Sequence, residues 1–551
     1  MKNSFLTNYI MHADTKWLLL VVVLILFSAD IKSQRYSIHN NSNFDPFSRE
    51  LYKPGANIHT SIRPLRIDEI EEFVNTDSLE RRQIAIGNED LNILQRFGTN
   101  NLFHWQQEEN NQRVSVRVNP LFNFSGGIET ENETTTWVNT RGAMIEGELG
   151  DNLAFYADLY ENQALFPKYI NEFTRERGIA PGQGRVKEFG DDAWDFMQST
   201  GYLSYNAGQW INLQLGYGKN FIGDGYRSLL LSDNTYSYPY FKMTASFLKA
   251  KYMVMAAQMR HLGDDPVIRG GDDRFEYKYG IFHYLSWNIS NRVNIGLFES
   301  VIWAAEDDTG YRGMDFSYMI PVVMYRPIEY DMGSPDNVTM GANLKVIMWP
   351  GSIFYGQFVL GEFKFDEVFS GDKWWANKHG FQTGIKISDF LGVNNLDFQT
   401  EYNQVRPFTY SHYFPITNYG HYNQELAHPL GASFRESISF LRYRTGRWHF
   451  NLEAMYAIDG KDFDDDVSHG GDIFMPSVNR DKTYGHEIGQ GLRTTITHAA
   501  ASISWLLNPR TNMNISAGMR LRSISNEINN SNSNHFYISF STSLQNIYYN
   551  F

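Results

Sequence analysis

Trp448-His-Phe-Asn-Leu-Glu-Ala-Met-Tyr456 decides the fold. Trp448, Phe450, Leu452, Ala454 and Tyr456 alternate with His449, Asn451, Glu453 and Met455. Successive side chains of a strand point to opposite faces, so this period of two makes a strand with one apolar and one largely polar face. The pattern recurs elsewhere. Ile211, Leu213, Leu215 and Tyr217 alternate with Asn212, Gln214, Gly216 and Gly218. Met513, Ile515, Ala517, Met519 and Leu521 alternate with Asn514, Ser516, Gly518, Arg520 and Arg522, and Phe536 to Leu544 closes the series.

Alternation alone suits a soluble sandwich as well as a membrane barrel. Connection lengths separate the two. Short turn sequences occur at Gly150-Asp-Asn152, Asn206-Ala-Gly208, Leu248-Lys-Ala250, Ser290-Asn-Arg292, Trp349-Pro-Gly351, Gly392-Val-Asn-Asn395, Thr445-Gly-Arg447 and Asn508-Pro-Arg510. Between successive members lies one longer excursion: 162–197, 219–240, 260–274, 304–337, 364–379, 405–433 and 458–490. Strict alternation of short and long connections is the plan of an up-and-down barrel. The expected fold is all-β: a transmembrane antiparallel barrel of about 18 strands over 114–551, with long extracellular loops and a short periplasmic extension over 34–113. An even strand number starts the first strand and ends the last on the periplasmic side. The aromatic run Ile547-Tyr-Tyr-Asn-Phe551 is then expected at the membrane interface.

Composition agrees. The 551 residues are 42% hydrophobic and 15% aromatic, with no cysteine and a net charge of −14. Disordered, disulfide-stapled and structural-zinc classes are excluded, and so acidic a chain is a poor ligand for nucleic acid. Aromatic girdles of a lipid-facing band account for the ring excess. Lys2 and Lys16 ahead of the apolar core Trp17–Phe27, with Ser28 to Ser33 behind it, predict a secretory leader over 1–33. Ile67-Asp-Glu-Ile-Glu-Glu-Phe73 and Leu79–Ile86 have helical spacing, so the extension is expected to be partly helical.

No catalytic constellation is evident, and no metal or cofactor is expected. Asp462-Phe-Asp464-Asp465-Asp466 resembles a calcium loop but has Val467 where glycine is required and Ile473 where glutamate is required. His486-Glu487 lacks the second histidine of a zinc helix, since Gln490 stands in its place. The loops are rich in rings: Phe408, Tyr410, His412, Tyr413, Phe414, Tyr419, His421 and Tyr422 crowd one excursion, and Trp374-Trp375 another. Aromatic platforms beside polar groups suit sugars; the same rings could instead pack the loops into a plug. Trp374, Trp375, Phe408, Tyr410, His412, Tyr419 and Tyr422 are the candidate ligand-binding set. Glu146, Glu148 and Asp158 are expected to line the lumen, paired with Arg520 or Arg522.

Leu213-Gln-Leu-Gly-Tyr-Gly-Lys-Asn-Phe-Ile-Gly-Asp-Gly-Tyr-Arg-Ser-Leu-Leu-Leu-Ser-Asp-Asn234 resembles a characteristic segment of the Wzi-like capsule-assembly outer-membrane proteins. Leu297–Ile302, Phe354–Leu360 and Trp374–Gln382 look like later blocks of that pattern. Glu401–His412 and Asn418–Gly431 are similar to the branch containing the gliding-motility protein RemB. The resemblance implies a non-enzymatic outer-membrane barrel that either holds exported polysaccharide on the cell or serves surface motility and adhesion. Its partners would be outer-membrane lipid and surface polysaccharide or motility proteins. A pore or transporter with a polar lumen is the alternative.

Overall fold

The stretches of alternating residues form long strands, and eighteen of them close into one antiparallel barrel. The computed structural model describes residues 48–71 and 97–551, apart from 110–111, 151, 264–274, 308–309, 321–335, 363, 365, 368–370 and 465. The expected leader and the helical stretch from Leu79 lie outside the described residues. In chain order the wall strands are β1 (Gln112–Glu129), β2 (Thr134–Leu149), β3 (Leu153–Leu165), β4 (Ala193–Ala207), β5 (Ile211–Gly218) and β6 (Tyr238–Phe247). Next come β7 (Ala250–His261), β8 (Glu276–Asn288), β9 (Val293–Ala304), β10 (Asn337–Trp349), β11 (Ser352–Leu360) and β12 (His379–Ile387). The circuit ends with β13 (Leu396–Val405), β14 (Phe434–Thr445), β15 (Trp448–Lys461), β16 (Leu492–Asn508), β17 (Met513–Ser525) and β18 (Asn530–Ser541). Closure pairs His535–Ser541 of β18 with Glu129–Asn123 of β1.

Every expected short turn joins two wall strands. Leu248, whose position in the pattern is the least obvious, adopts φ 53° and closes the two-residue turn between β6 and β7. The apolar face points out: Leu215, Leu452, Tyr456 and Ile538 are 62, 52, 50 and 64% exposed, while Asn212, Gln214 and His535 are buried inside. Closure leaves no strand edge within the lipid band, where an unpaired backbone group would cost several kcal/mol.

Two parts of the chain are not where the sequence reading puts them. Residues 48–71 were expected in a periplasmic extension; 48–57 do run along the periplasmic turns, with Gly55 N–H donating to Asn291 O and Gly351 N–H to Tyr52 O, but the residues from His59 onward enter the barrel. Ile62–Arg63 pair with Ile222–Phe221 of the β5–β6 connection, and Tyr284 of β8 donates to Ser61 Oγ at 2.9 Å. Their helical spacing does give a short helix, Ile67–Glu71, whose buried Ile70 packs with Leu51 and Ile58. Phe103–Glu109 then pairs with Gln112–Val118 of β1, so strand pairing reaches back to Phe103.

The second difference is the run after β18. The wall strand stops at Ser541, and residues 542–551 turn into the lumen instead of lying at the interface. Tyr548 is 2% exposed, and Phe551 packs 4.6 Å from Phe173 of the outer-loop helix Lys168–Arg177. The difference is set by Arg227, Arg520 and Arg522, which offer the rings cationic partners inside.

Candidate functional site: a filled lumen beneath a loop cap

The β5–β6 connection, 219–237, enters the barrel and forms the centre of its contents. Its entry depends on glycine. A Cβ on Gly225 would stand 2.6 Å from Glu401 Oε2, so only glycine lets this backbone approach the wall carboxylate. The approach is used: Glu401 of β13 accepts from the backbone N–H of Tyr226 at 2.8 Å and of Arg227 at 3.1 Å. Arg227, fully buried, donates to Glu436 of β14 at 2.7 Å and to the Asn550 carbonyl at 2.5 Å. His428 and Asn403 complete the shell of Glu436 at 2.8 and 2.9 Å. Arg227 therefore ties the inserted loop to the wall and to the last residues of the chain.

Four buried wall lysines hold the remaining contents. Lys345 reaches Thr60 at 2.6 Å and Lys251 reaches Glu69 at 2.5 Å, fixing the 48–71 segment. Lys242 reaches Asn220 at 2.9 Å, and Lys278 grips Asn418 of the 406–433 loop through its carbonyl and Oδ1 at 2.9 and 2.7 Å. A buried ammonium is costly unless hydrogen-bonded, so each of these sites favours the docked segment over an empty lumen. Nothing in the sequence pairs these lysines with their partners. The available signal was a lysine at an inward position on β6, β7, β8 and β10.

The residues expected to line the lumen do face inward, but with other partners. Glu146 pairs with Arg117, which is directly opposite on β1, at 3.2 Å. Asp158 accepts from Tyr156 at 2.7 Å, and Glu148 is on the same inner face of β2. The expected pairing with Arg520 and Arg522 does not form. Arg520 lies 4.7 and 4.9 Å from the rings of Tyr537 and Tyr549, and Arg522 lies 4.8 and 5.7 Å from those of Tyr169 and Phe551. Between the last residues and β14–β18 there is a cavity of about 320 Å³ lined by Arg442, Glu453, His498, Arg520 and His535.

The loop aromatics divide. Phe408 and Tyr419 are fully buried and Tyr410 nearly so, with Tyr410 and Tyr419 stacked at 5.5 Å. Their hydroxyls donate to Leu229 O at 2.7 Å and Leu230 O at 2.5 Å, locking the outer loop onto the inserted one. These three rings pack the plug, and Tyr410 also lines a cavity on the outer side. Trp375 is edge-on to Phe408 at 5.9 Å, with Arg480 4.1 Å from its centroid; Trp374 stands beside it, half-buried. Tyr422 packs on Tyr236 at 4.9 Å. His412, held by Thr417 at 2.6 Å, lines a second cavity of about 180 Å³ on the outer side. Burial pushes His412 down to about 4 and His421 to about 3. Phe408 and Tyr410 have φ of 63° and 75°, a left-handed backbone uncommon for large residues.

The acidic run has a structural role. Asp462 accepts from the backbone N–H groups of His469, Gly471 at 3.1 Å and Asp472 at 2.7 Å, capping a turn of the 462–491 loop. His486 packs against Phe408 at 5.1 Å.

An apolar outer band, a polar filled interior and long loops on one side make this an outer-membrane β-barrel with a plugged lumen. Wzi of Escherichia coli, an outer-membrane protein involved in group 1 capsule assembly and a carbohydrate-binding β-barrel, has the same fold, with a TM-score of 0.53 at 13% identity over 92% of this chain and 100% of that one. Pseudomonas aeruginosa OprD matches with a TM-score of 0.41 at 8% identity over 78% and 96% of the two chains. Acinetobacter baumannii OccAB4 gives 0.40 at 8% over 79% and 98%. No family model and no curated protein matches the sequence.

Proposed function

We propose that the protein is a non-enzymatic surface barrel whose outer loops hold a surface polysaccharide, as in capsule attachment, or a partner in adhesion and gliding motility. One observation carries the reading: three separate stretches, 59–71, 219–237 and 542–551, meet inside the barrel around Arg227 and Asp224, with Thr60 donating to Asp224 at 2.5 Å. A lumen so occupied suits a scaffold for loops better than a conduit. The shared fold with a carbohydrate-binding barrel and the half-buried Trp374 and Trp375 support the polysaccharide form. The motility form draws on the resemblance of Glu401–His412 and Asn418–Gly431 to the gliding branch.

The polar 320 Å³ cavity beside the last residues favours a second reading, a pore opened by movement of that stretch. Gene deletion scored for capsule retention and surface spreading, together with planar-bilayer conductance, separates the readings. The scaffold reading expects loss of capsule or spreading and a silent bilayer. Steady conductance with both surface traits intact would overturn it.

A further inference from the structure

The outer cavity of about 180 Å³ has the features of a built site. It lies at the outer ends of β10, β11 and β12, roofed by the 406–433 loop. Thr409 is 1% exposed, and among the described residues its Oγ1 has no hydrogen-bond partner although it lines the space. A buried hydroxyl left unmatched is costly, and a ligand or ordered water is the usual remedy. The backbone on both sides of Thr409 is left-handed, so the hydroxyl is held in place by its neighbours. Lys378, also buried, donates to Glu362 at 3.0 Å and to Ser411 O at 3.1 Å on the same wall.

Charge and size restrict the occupant. Lys378 and Glu362 neutralise each other, and Asp336 is neutralised by Arg312 at 2.6 and 2.8 Å, so the lining presents no unbalanced charge to attract a phosphate or a metal ion. The volume is below the roughly 300 Å³ at which pockets for drug-sized ligands begin, leaving room for one small ring. Tyr410 and Met340 supply an apolar side. We propose that this cavity binds a single neutral pyranose residue of a surface polysaccharide, with vicinal hydroxyls shared between Glu362 and Lys378 and a further hydroxyl bonded to Thr409. The inference rests on the polysaccharide reading above and places it at Tyr410 and His412 instead of at Trp374 and Trp375.

The test uses the full chain in detergent micelles, with a glycan array and saturation-transfer NMR on the methyl glycosides of glucose, galactose, mannose and glucuronate. Thr409→Val removes only the hydroxyl, Thr409→Ser restores it, and Glu362→Gln acts on a half-exposed side chain. Heat-modifiable gel mobility checks that each variant keeps the barrel. At least one neutral glycoside is expected to bind, with affinity falling about tenfold in Thr409→Val and in Glu362→Gln and returning in Thr409→Ser. Sugar binding that is equal in wild type and both weakened variants would refute this cavity while leaving the polysaccharide reading standing. Binding of glucuronate alone, lost in Lys378→Gln, would refute the neutral ligand. Failure of the wild type to bind any glycoside or array glycan would overturn both readings.

Discussion

Replacing Arg227 by alanine tests the idea that one buried cation holds the interior together. The substitution removes the 2.7 Å bond to Glu436 and the 2.5 Å bond to Asn550, and leaves the Glu436 carboxylate fully buried with only His428 and Asn403 beside it. Removing one partner of a buried ion pair costs about 3–5 kcal/mol, because the other charge is left unmatched. The wall strands keep their own ladders, so the cost falls on the docking of 219–237 and 542–551. At about 1.4 kcal/mol per decade, local opening of these segments should rise by roughly two to four decades. Hydrogen exchange read by mass spectrometry on peptides covering 222–232 and 545–551 measures this directly, with β15 and β16 as internal references. The double variant Arg227→Met with Glu436→Gln removes both charges and keeps an acceptor for Asn403. It should recover part of the protection, still lacking the charge-assisted Asn550 bond, worth about 1.5–3 kcal/mol, and the contacts of Arg227 over the Tyr226 and Tyr548 rings. Unchanged exchange in Arg227→Ala would show that the interior is held by packing alone; equal loosening in single and double variants would show that charge is not the reason.

Lys278→Met should free Asn418, and with it the 406–433 loop, from β8, giving faster proteolysis of that loop in intact cells while the barrel keeps its heat-modifiable gel shift. Tyr548→Phe removes the hydroxyl bonded to Asp233 at 2.6 Å and to Tyr226 O at 3.2 Å; about 1–3 kcal/mol is lost, and conductance events should appear in planar bilayers if the last residues block the lumen. Acid should loosen the cap. His421 and His412 have pKa values near 3 and 4 when docked and the ordinary 6.5 when released, so the released form binds more protons below pH 6.5. Docking is then fully favourable above pH 6.5 and weakens as the pH falls towards 4, which exchange at residues 408–424 would report; protection that is flat from pH 7 to 4.5 would contradict it.

The wall was legible because its code is local. A period of two names the strand and Gly150 or Asn508-Pro509 names the turn, whereas the turn at Leu248 is marked only by its place between two alternating runs. Register also makes some inner pairs readable, since Arg117 and Glu146 are directly opposite on β1 and β2 and could have been matched without a structure. The interior was not legible, because every inward residue meets a segment distant in sequence. Lys345 at an inward position announces a polar face but not Thr60, and Glu401 does not announce the N–H groups of Tyr226 and Arg227. Aromatic residues mislead most. Tyr410 and Tyr419 in the cap, and Tyr548 and Phe551 after the last strand, have the composition of sugar platforms and membrane girdles, yet what places them inside is a carbonyl or a guanidinium contributed from elsewhere.

The path of residues 542–551 has a mechanical consequence. Ser543 N–H is bonded to Thr511 O at the periplasmic turn between β16 and β17, while Phe551 touches Phe173 in an outer loop, and Arg227 grips Asn550 between them. This stretch is a strut joining the two faces of the membrane through the inside of a wall that does not itself need to move. A load applied at the outer helix Lys168–Arg177 would travel down the strut to the periplasmic rim, and a displacement at the rim would travel up. The last ten residues thus connect an outer loop to a periplasmic turn from within the barrel.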